Sequence, residues 1–287
     1  MPTPKAMDQQ RGRWFGIGPR VAGASDVGSV RRVNQDAFAR FDRNDRGEIL
    51  LVVADGLGGH RGGEVASRLA VETLGERVFE GESDPATRLA LAVQAANEVI
   101  LAAARQDDDL KGMGTTIVCL LLAKHGDSQI AHVGDSRLYR LRGERLQPMT
   151  EDHSLVATLV REHVLTEEEA RDDPRRNQIL RALGVREQVE IELKALQPRP
   201  GDAYLLCSDG LHGLISDEEI EEIVGRRHEP ERIVAELIVA ALEAGGNDNV
   251  TCLLARIPES ALLPALRGLA GRLRDTMRSW LHALTER

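Results

Sequence analysis

At 287 residues, with 42% hydrophobic and 29% charged residues, the chain has an ordinary globular composition and enough length to bury a substantial core. Its net charge of -9 excludes nucleic acid as the main partner, but leaves phosphate esters open, because a bound metal can supply positive charge locally. Cys119, Cys207 and Cys252 lie in apolar runs without a CxxC or Cys/His cluster, there is no 18-residue apolar segment, and the N-terminus lacks a secretory pattern; a cytoplasmic protein is expected.

Residues 1–12 are polar and expected to be flexible. Segment 20–40 reads as an early strand pair. LLVVAD then ends an apolar strand at Asp55 and hands over to GLGGHRGG, followed by a helix whose stripe is Val65, Leu69, Ala70, Thr73 and Leu74. Asp84-Pro85 starts a second helix over 86–105, with Leu89, Val93, Ala96, Ile100 and Leu101 on one face. Runs 114–123, 128–135 and 137–142 are β-rich and joined by short Gly/Asp turns, as in antiparallel strands. Residues 148–198 are charged, with two helices expected to break at Pro174. The strand AYLLCSDG, helices near 216–225 and 230–243, and the strand NVTCLLARI complete the pattern. Strands and helices come in blocks without strict βαβ alternation. That favours an α+β fold with antiparallel sheets.

Asp-Gly after a strand is, taken alone, a turn signal. Yet Asp36, Asp55, Asp135, Asp209 and Asp248 all fall at ends of expected strands. If the strands share sheets, these acids converge, and clustered carboxylates repel one another unless a cation neutralises them. An oxygen-only set, with no Cys or paired His, selects Mg²⁺ or Mn²⁺ over zinc or copper. The permissive backbone beside Asp55 would let the Gly56 carbonyl join the set.

With RRVNQDA, VVADGLGGH, GTT, VGDSR, the NxxLxRALG run at 177–184, CSDGL and NDNVT, residues 20–257 resemble the metal-dependent protein phosphatases of type 2C, in motif order. The resemblance implies a four-layer α-β-β-α sandwich over 13–257 with a small flap at about 148–198. It implies hydrolysis of phosphoserine and phosphothreonine in proteins by water activated between two metals, opposing a bacterial Ser/Thr kinase. Asp55 would bridge the two metals, with the Gly56 carbonyl on one; Asp209 and Asp248 would complete the other, and Asp36 would act on the second. Asp135 would share a weaker third ion with Asp209, giving two to three Mn²⁺ or Mg²⁺ ions. Arg31 would grip the substrate phosphate, for which a guanidinium fork is suited. His60 is the candidate general acid, with a loop residue bonding backbone as the equal alternative. Asn34, Ser136 and Asn249 read as turn or supporting residues.

Two departures from the family pattern stand out. Gln35 occupies a position where many relatives have an acid, which removes a negative charge near the second metal. Asp173-Pro174 replaces a frequent His-Pro in the flap. Rival chemistries fail on spacing. The residues six after each cysteine are His125, Gly213 and Pro258, where a cysteine phosphatase needs arginine, and G-x-G-x-x-G counted from Gly56 ends on Arg61. The remaining alternative is a catalytically dead phosphatase fold acting as a binding module; the presence of Asp36, Asp55, Asp209 and Asp248 argues against it.

Residues 258–287 lie beyond the last expected strand. Leu262, Leu266, Leu269, Leu273, Met277, Trp280, Leu281 and Leu284 recur at helical spacing against an arginine-rich face. An amphipathic tail is expected, docking on a partner, on its own domain or on a membrane surface.

Overall fold

The computed structural model describes residues 18–43, 46–58, 62–81, 83–124 and 127–259. His60 and almost all of the 258–287 tail, together with residues 1–17, lie outside them. In chain order the elements are β1 (Arg20–Asp26), β2 (Asp36–Arg43), β3 (Glu48–Leu57), α1 (Gly62–Arg77), α2 (Pro85–Gln106), β4 (Gly114–Thr115), β5 (Ile117–Ala123), β6 (Ser128–Val133), β7 (Arg137–Arg142), β8 (Arg145–Pro148), α3 (Leu155–Arg161), α4 (Glu167–Asp172), β9 (Glu192–Leu196), β10 (Ala203–Cys207), α5 (Asp209–His212), α6 (Asp217–Gly225), α7 (Pro230–Glu243) and β11 (Val250–Arg256).

The strands form two antiparallel sheets, ordered β1-β11-β10-β7-β8 and β2-β3-β5-β6-β9, with β4 paired to β3. The period-two alternation of β3 explains the layering. Ile49, Leu51 and Val53 face the other sheet and pack with Val118, Leu138, Tyr204, Leu206 and Leu253. Leu50, Val52 and Ala54 face the opposite way, onto α1 and α2. A strand buried on both faces must be apolar throughout, hence the unbroken run before Asp55. On the far side α6 and α7 cover β10 and β11 through Ile220, Val224, Ile233 and Leu237. Helix, sheet, sheet, helix is therefore the order of layers.

The start of α2 follows its sequence signal: Asp84 caps it, accepting from the backbone N–H groups of Ala86 and Thr87. The flap departs from expectation in two ways. The break between its helices comes at 162–166, not at Pro174, which follows the second helix. His163 adopts φ 58, and Thr166 and Glu169 form a reciprocal cap that starts α4. The flap is also shorter than 148–198, because β9 leaves it to become the edge of the second sheet, paired with β6. Glu192 and Lys194 disguise this strand; charges of this kind are how an edge avoids pairing with foreign strands.

Candidate metal centre

The site lies at one end of the sandwich, between the sheets. Asp36 and Asp55 are direct cross-strand partners in the β2–β3 pair, so both side chains leave the same face. That face is the inner one, since Phe38 and Val53, two residues along each strand, belong to the inter-sheet core. The opposing sheet answers with hydroxyls. Ser208, at the end of β10, donates to Asp36 Oδ2 at 2.7 Å and itself accepts from Thr251 N–H on β11 at 3.0 Å, while the Thr251 hydroxyl favours the charged form of Asp36. Asp209 follows Ser208 as the first residue of α5, and Asp248 precedes β11. Asp135 sits in the β6–β7 turn. Antiparallel pairing brings the C-terminal ends of β3, β6 and β10 and the N-terminal ends of β2 and β11 to this one rim.

Close backbone contacts lock the rim together. A Cβ on Gly56 would lie 2.1 Å from the Gly63 carbonyl oxygen and 2.5 Å from that of Gln35. A Cβ on Gly210 would lie 1.9 Å from the Asn249 oxygen, so glycine there lets the Asp209 and Asp248 segments touch. Asn249 is the hub: its side chain accepts from Gln35 N at 2.8 Å and donates to the Val27 and Val33 carbonyls at 2.9 and 3.1 Å. It thereby fixes the loop that carries Arg31. Asn34 accepts from Asp36 N at 3.1 Å, and Ser136 bonds Thr116 through their hydroxyls at 2.7 Å.

The electrostatics are those of an uncompensated anionic cluster. Burial, only partly offset by the Thr251 and Ser208 hydroxyls, pushes the Asp36 carboxyl up to about 7. Burial, then Asp209 and Asp152, raises Asp135 to about 8. Asp55 is driven well above the carboxylate range by burial and by the charges of Asp36 and Asp209, and Asp209 is raised by burial and by Asp248. Two guanidinium groups oppose this charge: Arg137 favours the charged form of Asp135, and the half-exposed Arg31 donates to Asp248 Oδ2 at 2.7 Å, a bond that raises its own pKa.

These residues fit a divalent cation. Asp36 Oδ1, Asp135 Oδ1 and Asp209 Oδ1 are each buried without a hydrogen-bond partner, and orphaned carboxylate oxygens are costly unless something positive satisfies them. An all-oxygen donor set is that of Mg²⁺ or Mn²⁺. A second acid–histidine cluster, His132, His153 and Glu192, does not fit a metal. The two imidazoles stack with centroids 4.6 Å apart and planes 29° from parallel, so their in-plane lone pairs cannot aim at one ion. His153 Nδ1 already accepts from Gly134 N, and the Arg181 guanidinium lies 3.1 Å from Nε2.

All five aspartates and Gly56 thus come together, with Arg31 on their rim. The supporting hydroxyls of Ser208 and Thr251 were missed by sequence reasoning, although Ser208 adjoins Asp209 and Thr251 shares β11's inner face with Leu253.

A family model for protein phosphatase 2C matches residues 28–250. The serine/threonine phosphatase stp of Listeria innocua is 39% identical over 235 residues, covering 80% of this chain and 92% of that protein. The crystal structure of the Mycobacterium tuberculosis phosphatase PstP superposes with a TM-score of 0.78 at 40% identity, covering 85% of this chain and 100% of that one. A PstP catalytic domain in complex with two manganese ions gives a TM-score of 0.76 at 40% identity, over 84% and 99% of the two chains. With the matched model spanning most of its length and the acidic rim in place, the chain belongs to the protein phosphatase 2C family.

Proposed function

We propose that the chain is a metal-dependent protein serine/threonine phosphatase whose centre is the rim of five aspartates. The observation that carries this reading is the set of three buried, partnerless carboxylate oxygens on Asp36, Asp135 and Asp209. Asp55, Asp209 and Asp248 would hold one Mn²⁺ or Mg²⁺, Asp55, the Gly56 carbonyl and Asp36 a second, and Asp135 with Asp209 a weaker third. Bound there, the cations would supply Lewis-acid activation of water and neutralise charge on the phosphoryl oxygens. The protein's own part is positional. Ser208, itself held by Thr251 N–H, holds Asp36 through Oδ2 and leaves Oδ1 without a protein partner. Arg31, already tethered by Asp248 and half-exposed, presents the remainder of its fork to a phosphoryl group, orienting it and stabilising charge on its equatorial oxygens. His60 as general acid, and its alternative as a loop residue, remain a proposal about a residue outside those described.

The substrates on this reading are phosphorylated proteins, with a bacterial Ser/Thr kinase as the opposing enzyme. We place the chain in the cytoplasm; among the described residues no helix is long and apolar enough to cross a membrane. The 258–287 tail is proposed to dock on a partner, its own domain or a membrane surface, on the strength of its apolar stripe alone. Purified protein should hydrolyse an aryl phosphate and a phosphothreonine peptide with Mn²⁺, lose turnover in EDTA and regain it with Mn²⁺. Turnover unaffected by EDTA would sink the assignment, and none under any condition would favour the binding-module alternative.

Gln35 tests the second cation. Its Nε2 donates to the Gly58 carbonyl at 3.3 Å and packs on Gly63 at the start of α1, beside Gly56. Gln35→Glu adds a negative charge a few ångströms from a dication, worth about 1–2 kcal/mol even at the dielectric of water. The Mn²⁺ concentration for half-maximal rate should fall by about tenfold. An unchanged or higher requirement would show that the lost Gly58 contact outweighs the charge, or that this position does not sense the metal.

A further inference from the structure

His212 closes the four-residue helix that Asp209 opens, and its Nε2 lies 3.0 Å from the main-chain oxygen of Asp135. A carbonyl oxygen can only accept, so Nε2 carries the hydrogen. Asp135 and Asp209 belong to different elements, the β6–β7 turn and α5. Among the described residues this is the one hydrogen bond that joins that turn to that helix. The rest of the turn is pinned elsewhere. Gly134 exchanges bonds with His153, giving N–H to Nδ1 at 3.1 Å and taking His153 N–H on its oxygen at 2.8 Å, and Ser136 is held by Thr116. Only Asp135, the residue with the functional carboxyl, is fixed from α5. Its Oδ1 and that of Asp209 are both buried and partnerless, and the Asp209 charge opposes ionisation of Asp135. Left to electrostatics, they would move apart.

We propose that His212 is a positioning residue that holds Asp135 to the Asp209 helix, setting the carboxylate separation at which the two share a divalent cation. The proposal rests on the phosphatase reading above and deepens it. His212 touches neither the cation nor the substrate; it acts through the backbone of Asp135. Partners that orient metal ligands from behind are worth about 10–100-fold in metal affinity.

The experiment is Mn²⁺ titration of the full chain by calorimetry, with free Mn²⁺ followed by its paramagnetic resonance signal, for the unaltered protein, His212→Leu and His212→Gln. In His212→Leu the weakest Mn²⁺ site should lose about tenfold or more in affinity while the tighter sites hold. His212→Gln, whose amide N–H can replace the imidazole donor, should recover most of the loss, which a purely space-filling role would not predict. If His212→Leu melts below the assay temperature, His212→Ser replaces it and is judged the same way. Equal weakest-site affinity with and without the donor overturns the proposal, as does a Gln variant no better than Leu. Two sites rather than three in the unaltered protein overturn the proposal alone; no Mn²⁺ binding at all overturns the phosphatase reading with it.

Discussion

Asp209→Asn is expected to lower kcat on an aryl phosphate by about a thousandfold or more at saturating Mn²⁺. Asp209 stands at the crossing of the site: it interacts electrostatically with Asp55, Asp248, Asp135 and Arg31. On the proposed ligand set it serves two cations. Several kcal/mol of transition-state charge stabilisation are assigned to such ions, at 1.36 kcal/mol per decade of rate. The same substitution should leave the metal-free fold intact, and its thermal midpoint in EDTA should equal or exceed that of the unaltered protein. Burial and the Asp248 charge both oppose ionisation of Asp209, so a neutral amide of the same shape relieves repulsion. Addition of Mn²⁺ should then raise the midpoint of the unaltered protein more than that of the variant, since ligands stabilise by their affinity for the folded state. A variant that retains turnover would remove Asp209 from the centre. One that melts far lower in EDTA would make it a structural residue.

The aspartates were legible because each stands where an apolar run stops. A strand buried on both faces announces its end sharply, as β3 does at Asp55, and the hairpin back to Asp36 follows from the same pattern. The glycines were legible as permissive backbone, though their reason here is close approach: Gly56 and Gly210 give room for neighbouring carbonyls. What the chain hid were contacts between sheets. Nothing local to Thr251 or Ser208 says that an acid more than 170 positions earlier will need their hydroxyls; only the stacking of β10 and β11 over β2 brings them there. The flap misled for a different reason. Its charged composition masks β9, an edge strand that tolerates Glu192 and Lys194, and its helix break is made by a cap at Thr166 rather than by the conspicuous Pro174.

Arg88→Met should destabilise the fold by about 3–5 kcal/mol and leave the activity of each folded molecule unchanged. Nothing in the sequence marks this residue, which sits among the apolar positions of α2 like any exposed arginine. In the structure its side chain is only 4% exposed and forms a forked pair with Glu48, with Nη2–Oε1 at 2.5 Å and Nη1–Oε2 at 3.0 Å. Nη1 also donates to the Val78 carbonyl at 2.8 Å, and Nε to that of Ser83 at 3.1 Å. One guanidinium thus ties the first residue of β3, the end of α1 and the first turn of α2. Removing it strands the Glu48 carboxylate, 7% exposed as a residue, together with two carbonyls. Breaking one side of a buried pair costs about 3–5 kcal/mol for this reason, whereas replacing both sides by apolar groups is often neutral. The thermal midpoint should drop by roughly 10 °C, at about 2–4 °C per kcal/mol for a domain of this size. Glu48→Leu combined with Arg88→Met should recover much of the loss. Glu48 and Asp55 lie at opposite ends of β3, roughly 23 Å apart at the usual rise per residue, so kcat and the Mn²⁺ requirement should not move. Urea melts of the two single variants and the double variant decide it. A loss under 1 kcal/mol in Arg88→Met, or a double variant as unstable as the singles, would mean that the pair does not hold the α1–α2 corner to the sheet.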